Sequence, residues 1–317
     1  MRALSYDDIL LVPQLGQLDS RKHANTTAKL GDWTFALPIM SSPMETVTDV
    51  NMASALATFN VLGVMHRFDT SLNRFDSVMK FKEVNPERPA AVAIGGDDIN
   101  TLPIIADIFV LDVAHSDTTR MLSYVRKFKT VFPSKYLVVG SIATAGAAKR
   151  AIEAGADALR VGIGAGAACT TRTVTGFGVP MVSSIIECVD VADTYGIPVI
   201  ADGGIKNTGD IAKALALGAD FVMLGRMFAG TEESPHGTEY FGQASVRSAA
   251  HSGGYVEGEA GHVESQGSII DVLSRIDDAL RSAISYGGGT DIKSFQANAS
   301  WQEVSPLAMT ENGTRLL

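Results

Sequence analysis

Eight short apolar runs, rich in β-branched residues, constrain this chain more than any other feature. They are LPIMSS at 37–42, VLGVM at 61–65, AAVAI at 90–94, IFVLDV at 108–113, YLVVG at 136–140, ALRVGI at 158–163, PVIAD at 198–202 and FVMLG at 221–225. Continuously apolar runs, rather than alternating ones, predict strands buried on both faces, as in a parallel sheet. The intervals between them look helical. Those at 144–154 and 207–217 are the clearest, the second ended by Gly218. Eight such βα units predict an α/β chain folded as a (β/α)8 barrel, with a doubly wound open sheet as the alternative. No linker divides the chain, so residues 1–317 are expected to form one domain. A polar, Gly/Ser-rich stretch at about 232–266 reads as an active-site flap or as disorder. A helix is expected over 269–286, and a polar, peripheral tail from about 296 to 317.

Composition narrows the function classes. With 46% apolar and 19% charged residues, the chain can bury a core without staples. A net charge of −9 and the lack of a basic run argue against a nucleic-acid surface, but leave small anionic ligands open. No run approaches a membrane span and the N-terminus has no apolar signal core. Only two cysteines, Cys169 and Cys188, suggest a reducing compartment and no disulfide framework. The expectation is a cytoplasmic protein.

In a barrel, the C-terminal strand ends converge on one face, where active sites lie. The sixth run ends in GIGAGAACTTR at 162–172. Its alternate glycines let the backbone bend sharply and approach a ligand closely. Cys169 at the end of that bend is placed for nucleophilic chemistry. Equally, it could be a small buried apolar residue, the commoner fate of a free cysteine. Asp202, Gly203 and Gly204 end the seventh run, and Gly225 and Arg226 the eighth. Backbone N–H groups and a guanidinium there suit a phosphate, with Gly166 and Ala167 as further donors. The other reading is that these glycines merely turn the chain. Asp202 would accept from ribose hydroxyls rather than touch phosphate. Asp112, with His115 three residues on, is either an acid/base pair or a helix cap. His23, His236, His251 and His262 lie in polar stretches and read as solvated. No zinc-site spacing, P-loop or dinucleotide fingerprint is present.

These residues sit within longer motifs: YDDILLVP at 6–13, PIMSSPM at 38–44, VMHRF at 64–68, LDVAH at 111–115, VGIG and CTT within 161–171, IADGGI at 200–205, VMLG at 222–225, AGTEESP at 229–235 and SYGG at 285–288. In these the chain resembles the IMP dehydrogenase/GMP reductase family over nearly its whole length. The resemblance implies a (β/α)8 barrel assembled as a homotetramer. It implies that Cys169 attacks C2 of the purine of a bound nucleotide. In the reductases Thr171 and the glutamate of a Glu-Gly motif, here Glu257 and Gly258, help expel the 2-amino group as ammonia. NADPH then delivers hydride. Glu259, two residues on, is the other candidate for that glutamate. Asp112, His115 and Arg67 are implied on the cofactor side. Ser42, Met44, Asp202, Gly203, Gly204, Gly225, Arg226 and Gly258 are implied around the substrate. Backbone carbonyls of Gly164, Gly166 and Cys169 hold potassium in some members.

Two absences favour the reductase branch over IMP dehydrogenase. Only about twenty residues separate the second and third runs, too few for the regulatory domain usual there. The dehydrogenases' adjacent Arg-Tyr flap pair is also missing, because Arg247 and Tyr255 stand apart. A non-catalytic purine-nucleotide-binding barrel is the third reading. Departures from the family pattern are Ala167, where a phosphate-binding hydroxyl is usual, Gly254, where many relatives carry a basic residue, and a short flap over 243–256. They extend the expected substrate from GMP to close relatives such as dGMP.

Overall fold

The computed structural model describes residues 3–96, 99–248 and 257–309. The eight apolar runs become eight parallel strands: β1 Ile39–Ser41, β2 Val64–Met65, β3 Ala91–Ile94, β4 Ile108–Asp112, β5 Tyr136–Ile142, β6 Ala158–Val161, β7 Val199–Asp202 and β8 Phe221–Leu224. They form one sheet in the order β1-β8-β7-β6-β5-β4-β3-β2. A parallel bridge between Met40 and Leu62 brings its two edges together, with Ser41 N–H donating to Leu62 O at 3.1 Å. The fold is therefore a (β/α)8 barrel and not an open sheet.

Helices α1 Val50–Thr58, α2 Ser71–Val84, α3 Thr119–Val131, α4 Ala145–Ala154, the short α5 Thr171–Thr175, α6 Met181–Tyr195, α7 Thr208–Ala216 and α8 Ile269–Tyr286 surround it. Six start on side chains that satisfy an otherwise orphaned N–H: Asp49 for α1, Thr70 for α2, Thr118 for α3, Thr144 for α4, Asn207 for α7 and Ser268 for α8. The expectation of a helix in every interval fails once. Between β3 and β4 the described residues hold only a 3-10 turn, Ile99–Thr101. That interval is short, and Pro103 sits within it, where a helix would need a free N–H.

The sheet divides the core into two shells by the period-2 alternation of its strands. The outer shell, with Phe109, Leu111, Leu159 and Val222, packs against the helices. The inner shell fills the barrel with Met40, Val64, Val110, Val138, Ala158, Ile200, Phe221 and Met223. Leu30 and Phe35, from the hairpin Ala28–Leu30/Trp33–Phe35, join it. Phe35 meets Phe221 edge to face at 5.9 Å.

After β8 the polar stretch includes two short strands. Strands Glu239–Phe241 and Ala260–His262 pair antiparallel. Residues 249–256, with His251, Gly254 and Tyr255, lie outside the described residues. The tail also has structure: Ser300–Glu303 pairs antiparallel with Ile9–Val12, its side chains exposed. Among the described residues no helix is long and apolar enough to cross a membrane.

Candidate active site

A cavity of about 420 Å³ opens at the C-terminal end of the barrel. The loop after β6 forms one wall. Gly162 begins it at φ +154°, and a Cβ there would fall 1.9 Å from the carbonyl oxygen of Asp202, so only glycine lets β6 and β7 end this close together. The loop then turns back, with Cys169 N–H donating to Gly166 O at 3.1 Å. Cys169 is half-buried and lines the cavity, whereas Cys188 is buried on α6. Burial pushes the Cys188 thiol up to about 12. The two sulfurs thus divide between cavity and core.

Three side chains form a line from this thiol. Cys169 Sγ donates to Thr171 Oγ1 at 3.2 Å, and Thr171 Oγ1 donates to Glu257 Oε2 at 2.7 Å. The backbone holds this line. Cys169 and Gly258 form an antiparallel bridge. Thr170 N–H donates to Glu257 O at 2.8 Å, and Glu259 N–H to Ala168 O at 2.9 Å. Glu257 lines the cavity, while Glu259 is exposed and stands apart from it. The excursion that carries Glu257 is fastened to the loop after β1, where Ser248 Oγ donates to Glu45 and Ser234 Oγ to Thr46 O.

A cluster of buried charges also lines the cavity. Asp112 ends β4 and Asp202 ends β7, and both line the cavity. Arg160, in the middle of β6, lies between them. Its Nη1 donates to Asp112 Oδ1 at 2.6 Å, and its Nε and Nη2 reach Asp202 Oδ2 at 2.8 and 2.7 Å. Burial alone would favour the neutral guanidine, but Asp202 and Asp112 hold Arg160 charged. Sequence reading passed over this residue inside an apolar run. The one signal it gave was a charge at an inward-facing strand position, which requires partners. Arg67 Nε donates to the backbone oxygen of Asp112 at 3.0 Å, and its guanidinium lies 4.4 Å over the Phe68 ring. His115 is exposed and away from the cavity, and Thr118 rather than Asp112 or His115 caps α3.

Ser42, Met44, Gly203, Gly204, Gly225 and Arg226 also line the cavity. The N–H of Gly204 already donates to Ala165 O at 2.8 Å, so this residue contributes space rather than a donor. Gly225 leaves room for Tyr240, whose hydroxyl would lie 3.2 Å from a Cβ there. Tyr240 is a second lining residue the sequence did not reveal. Burial, with Asp202 nearby, raises its pKa and keeps the phenol protonated. Gly258 lies behind the cavity wall, where a Cβ would meet Ser245 N at 3.1 Å. Arg247 pairs with Glu239 at 3.0 Å on the outside. Among the described residues no three His, Cys, Asp or Glu side chains cluster as metal ligands would.

The IMP dehydrogenase / GMP reductase domain model matches residues 3–315. A GMP reductase of Oceanobacillus iheyensis is 34% identical over 308 residues, covering 92% of this chain and 93% of the relative. One of Lactobacillus acidophilus is 36% identical over 314 residues, covering 93% of each. One of Staphylococcus epidermidis is 34% identical over 314 residues, covering 93% and 95%. With that coverage, the chain belongs to the IMP dehydrogenase / GMP reductase family of oxidoreductases.

Proposed function

We propose that this chain is a GMP reductase, converting GMP to IMP and ammonia at the expense of NADPH. The observation that carries the reading is the line Cys169, Thr171, Glu257, which joins a nucleophile to a carboxylate through a hydroxyl. A thiol becomes a good nucleophile when a base removes its proton. Each donor in this line points toward Glu257, so ionising the thiol leaves that carboxyl protonated. The Cys169 thiolate adds to C2 of guanine. The 2-amino group then leaves as ammonia with a proton from the Glu257 side, because an amide anion is not a viable leaving group. A thioimidate joins Cys169 to C2. NADPH, when bound, would supply hydride to that carbon. The C–S bond then breaks, giving IMP and the thiolate. The substrate carbon loses a C–N bond and gains a C–H bond, and two electrons come from the nicotinamide.

The remaining groups bind and orient. Asp112, with Arg67 beside it, would hold the nicotinamide, and Asp202 would take the sugar. The N–H groups of the β6, β7 and β8 loops, with the exposed Arg226, take the phosphate. Carbonyls of Gly164, Gly166 and Cys169 are the neutral oxygen donors an alkali cation takes. Gly166 O already accepts one hydrogen bond, so potassium would share it.

The test is purified protein with GMP and NADPH. Loss of the near-ultraviolet absorbance of reduced nicotinamide, with stoichiometric ammonia, is expected. Activity confined to IMP with NAD would make the chain an IMP dehydrogenase instead. Binding without turnover of either pair would make it a nucleotide-binding barrel.

A further inference from the structure

Glu257 lies in an extended segment held from both sides. Thr170 N–H donates to its carbonyl oxygen at 2.8 Å, and its own N–H donates to Ala244 O at 3.1 Å. Gly242 N–H donates to Glu259 O at 3.0 Å. Residues 257–259 are thus sandwiched between the β6 loop and the turn 242–248. Where that turn lies decides where the Glu257 carboxyl can lie.

Glu45 holds the turn. It stands on the loop after β1, is 9% exposed and does not itself line the cavity. Ser248 Oγ donates to its Oε1. The Gln243 amide clasps it twice, accepting from Glu45 N–H at 2.9 Å and donating to Oε1 at 3.3 Å. The loop beneath is knitted together. The N–H groups of Val47 and Thr48 both donate to Met44 O at 2.9 Å, and Thr48 Oγ1 donates to Ser42 O at 2.7 Å. A buried acceptor on such a base, bonded near both ends of the turn, fixes the turn against the barrel.

We propose that Glu45 is a positioning residue for the reduction, setting the reach of Glu257 to Thr171 and Cys169 through the turn 242–248. The proposal rests on the GMP reductase reading and adds to it a group that touches neither nucleotide nor cofactor. Two donors converge on Glu45 Oε1, so the position needs an acceptor oxygen. An apolar side chain of like size would fill the space but leave Gln243 and Ser248 without that oxygen, and the turn would shift. A displacement of about 1 Å in a reacting group costs up to about a hundredfold in rate.

Steady-state kinetics of the whole protein with GMP and NADPH tests this. Glu45→Met should lower kcat by about tenfold to a hundredfold, with the dissociation constant for GMP changed by less than about fivefold. Glu45→Gln keeps an acceptor oxygen and should stay within about threefold of wild type. Equal losses in the two variants, or no loss in Glu45→Met, overturn the proposal. The decisive measurement is Glu45→Met combined with Glu257→Gln. The further loss there should be under about threefold, because the acid being positioned is already gone. A second loss as large as the first makes Glu45 a purely structural residue and overturns the positioning role alone. If the wild-type protein does not turn over GMP, the reductase reading fails and the positioning role falls with it. Where circular dichroism shows Glu45→Met unfolded, Ser248→Ala removes one donor without touching the barrel. It should lower kcat by about fivefold, and the same combination with Glu257→Gln then decides.

Discussion

Follow the inward-facing positions up three strands of the barrel. On β4 they run Ile108, Val110, Asp112; on β6, Ala158, then Arg160; on β7, Ile200, then Asp202. The lower members pack with Leu30 and Phe35 into a dry core. The upper members carry charge and line the cavity. Both layers obey the same alternation on the same strands, but the interaction that fills each differs. Below, shape complementarity suffices. Above, each buried charge requires an opposite one, and Arg160 with its two carboxylates meets that need. The lower layer therefore holds the barrel, and the upper layer presents its polar groups to the cavity.

Four experiments would break or sharpen that division. Cys169→Ser should lower turnover by about a thousandfold or more, because a hydroxyl without a matched base is a poor nucleophile. Its urea midpoint should stay near wild type, since the side chain is half-buried at the cavity. A loss of stability comparable to the loss of rate would put Cys169 in the core. Phe221→Ala is the reverse case, costing about 3–5 kcal/mol in urea unfolding, with kcat per folded molecule little changed. Should kcat collapse instead, the two layers are coupled. Glu257→Gln keeps the shape and a hydrogen bond to Thr171 but removes the acid. A loss of about a hundredfold in kcat is expected, with GMP affinity retained. The smallest effect lies far from the cavity, at the Asp291 cap of helix Ile292–Asn298. There Asp291→Ala should cost about 1 kcal/mol at neutral pH. Hydrogen bonds from Ser294 hold the Asp291 carboxyl below the usual carboxylate range. Its contribution is present above the unfolded pKa of about 4 and is lost as pH falls through the lower folded value. Thermal melts of both proteins should therefore differ at pH 7 and converge only in strong acid.

The lower layer was the more legible of the two. Its strands announce themselves because an unbroken apolar run of strand length suits little besides a strand covered on both faces. Cys169, Asp112 and Asp202 were also visible, since each follows such a run at the face where sites form. Arg160 was not, because one charge inside ALRVGI reads as an interruption of a strand rather than as its purpose. Tyr240 was hidden for another reason. It reaches the cavity from the excursion after β8, and no local pattern says where such a segment lies down. The pairing of Ile9–Val12 with Ser300–Glu303 was equally silent, as nothing in either tetrad names a partner at the far end of the chain. The 3-10 turn after β3 shows the opposite error, in which a regular rhythm was extended over an interval too short to keep it.

The rungs that tie 168–170 to 257–259 have a consequence for how such an enzyme can diversify. Sulfur and carboxylate are spaced by a two-stranded splice, not by the length of chain that joins them. Residues can be added to or removed from the sequence between Ser248 and Glu257 while the Cys169–Thr171–Glu257 line keeps its span. Substrate preference can then drift at the periphery with the chemistry left unaltered.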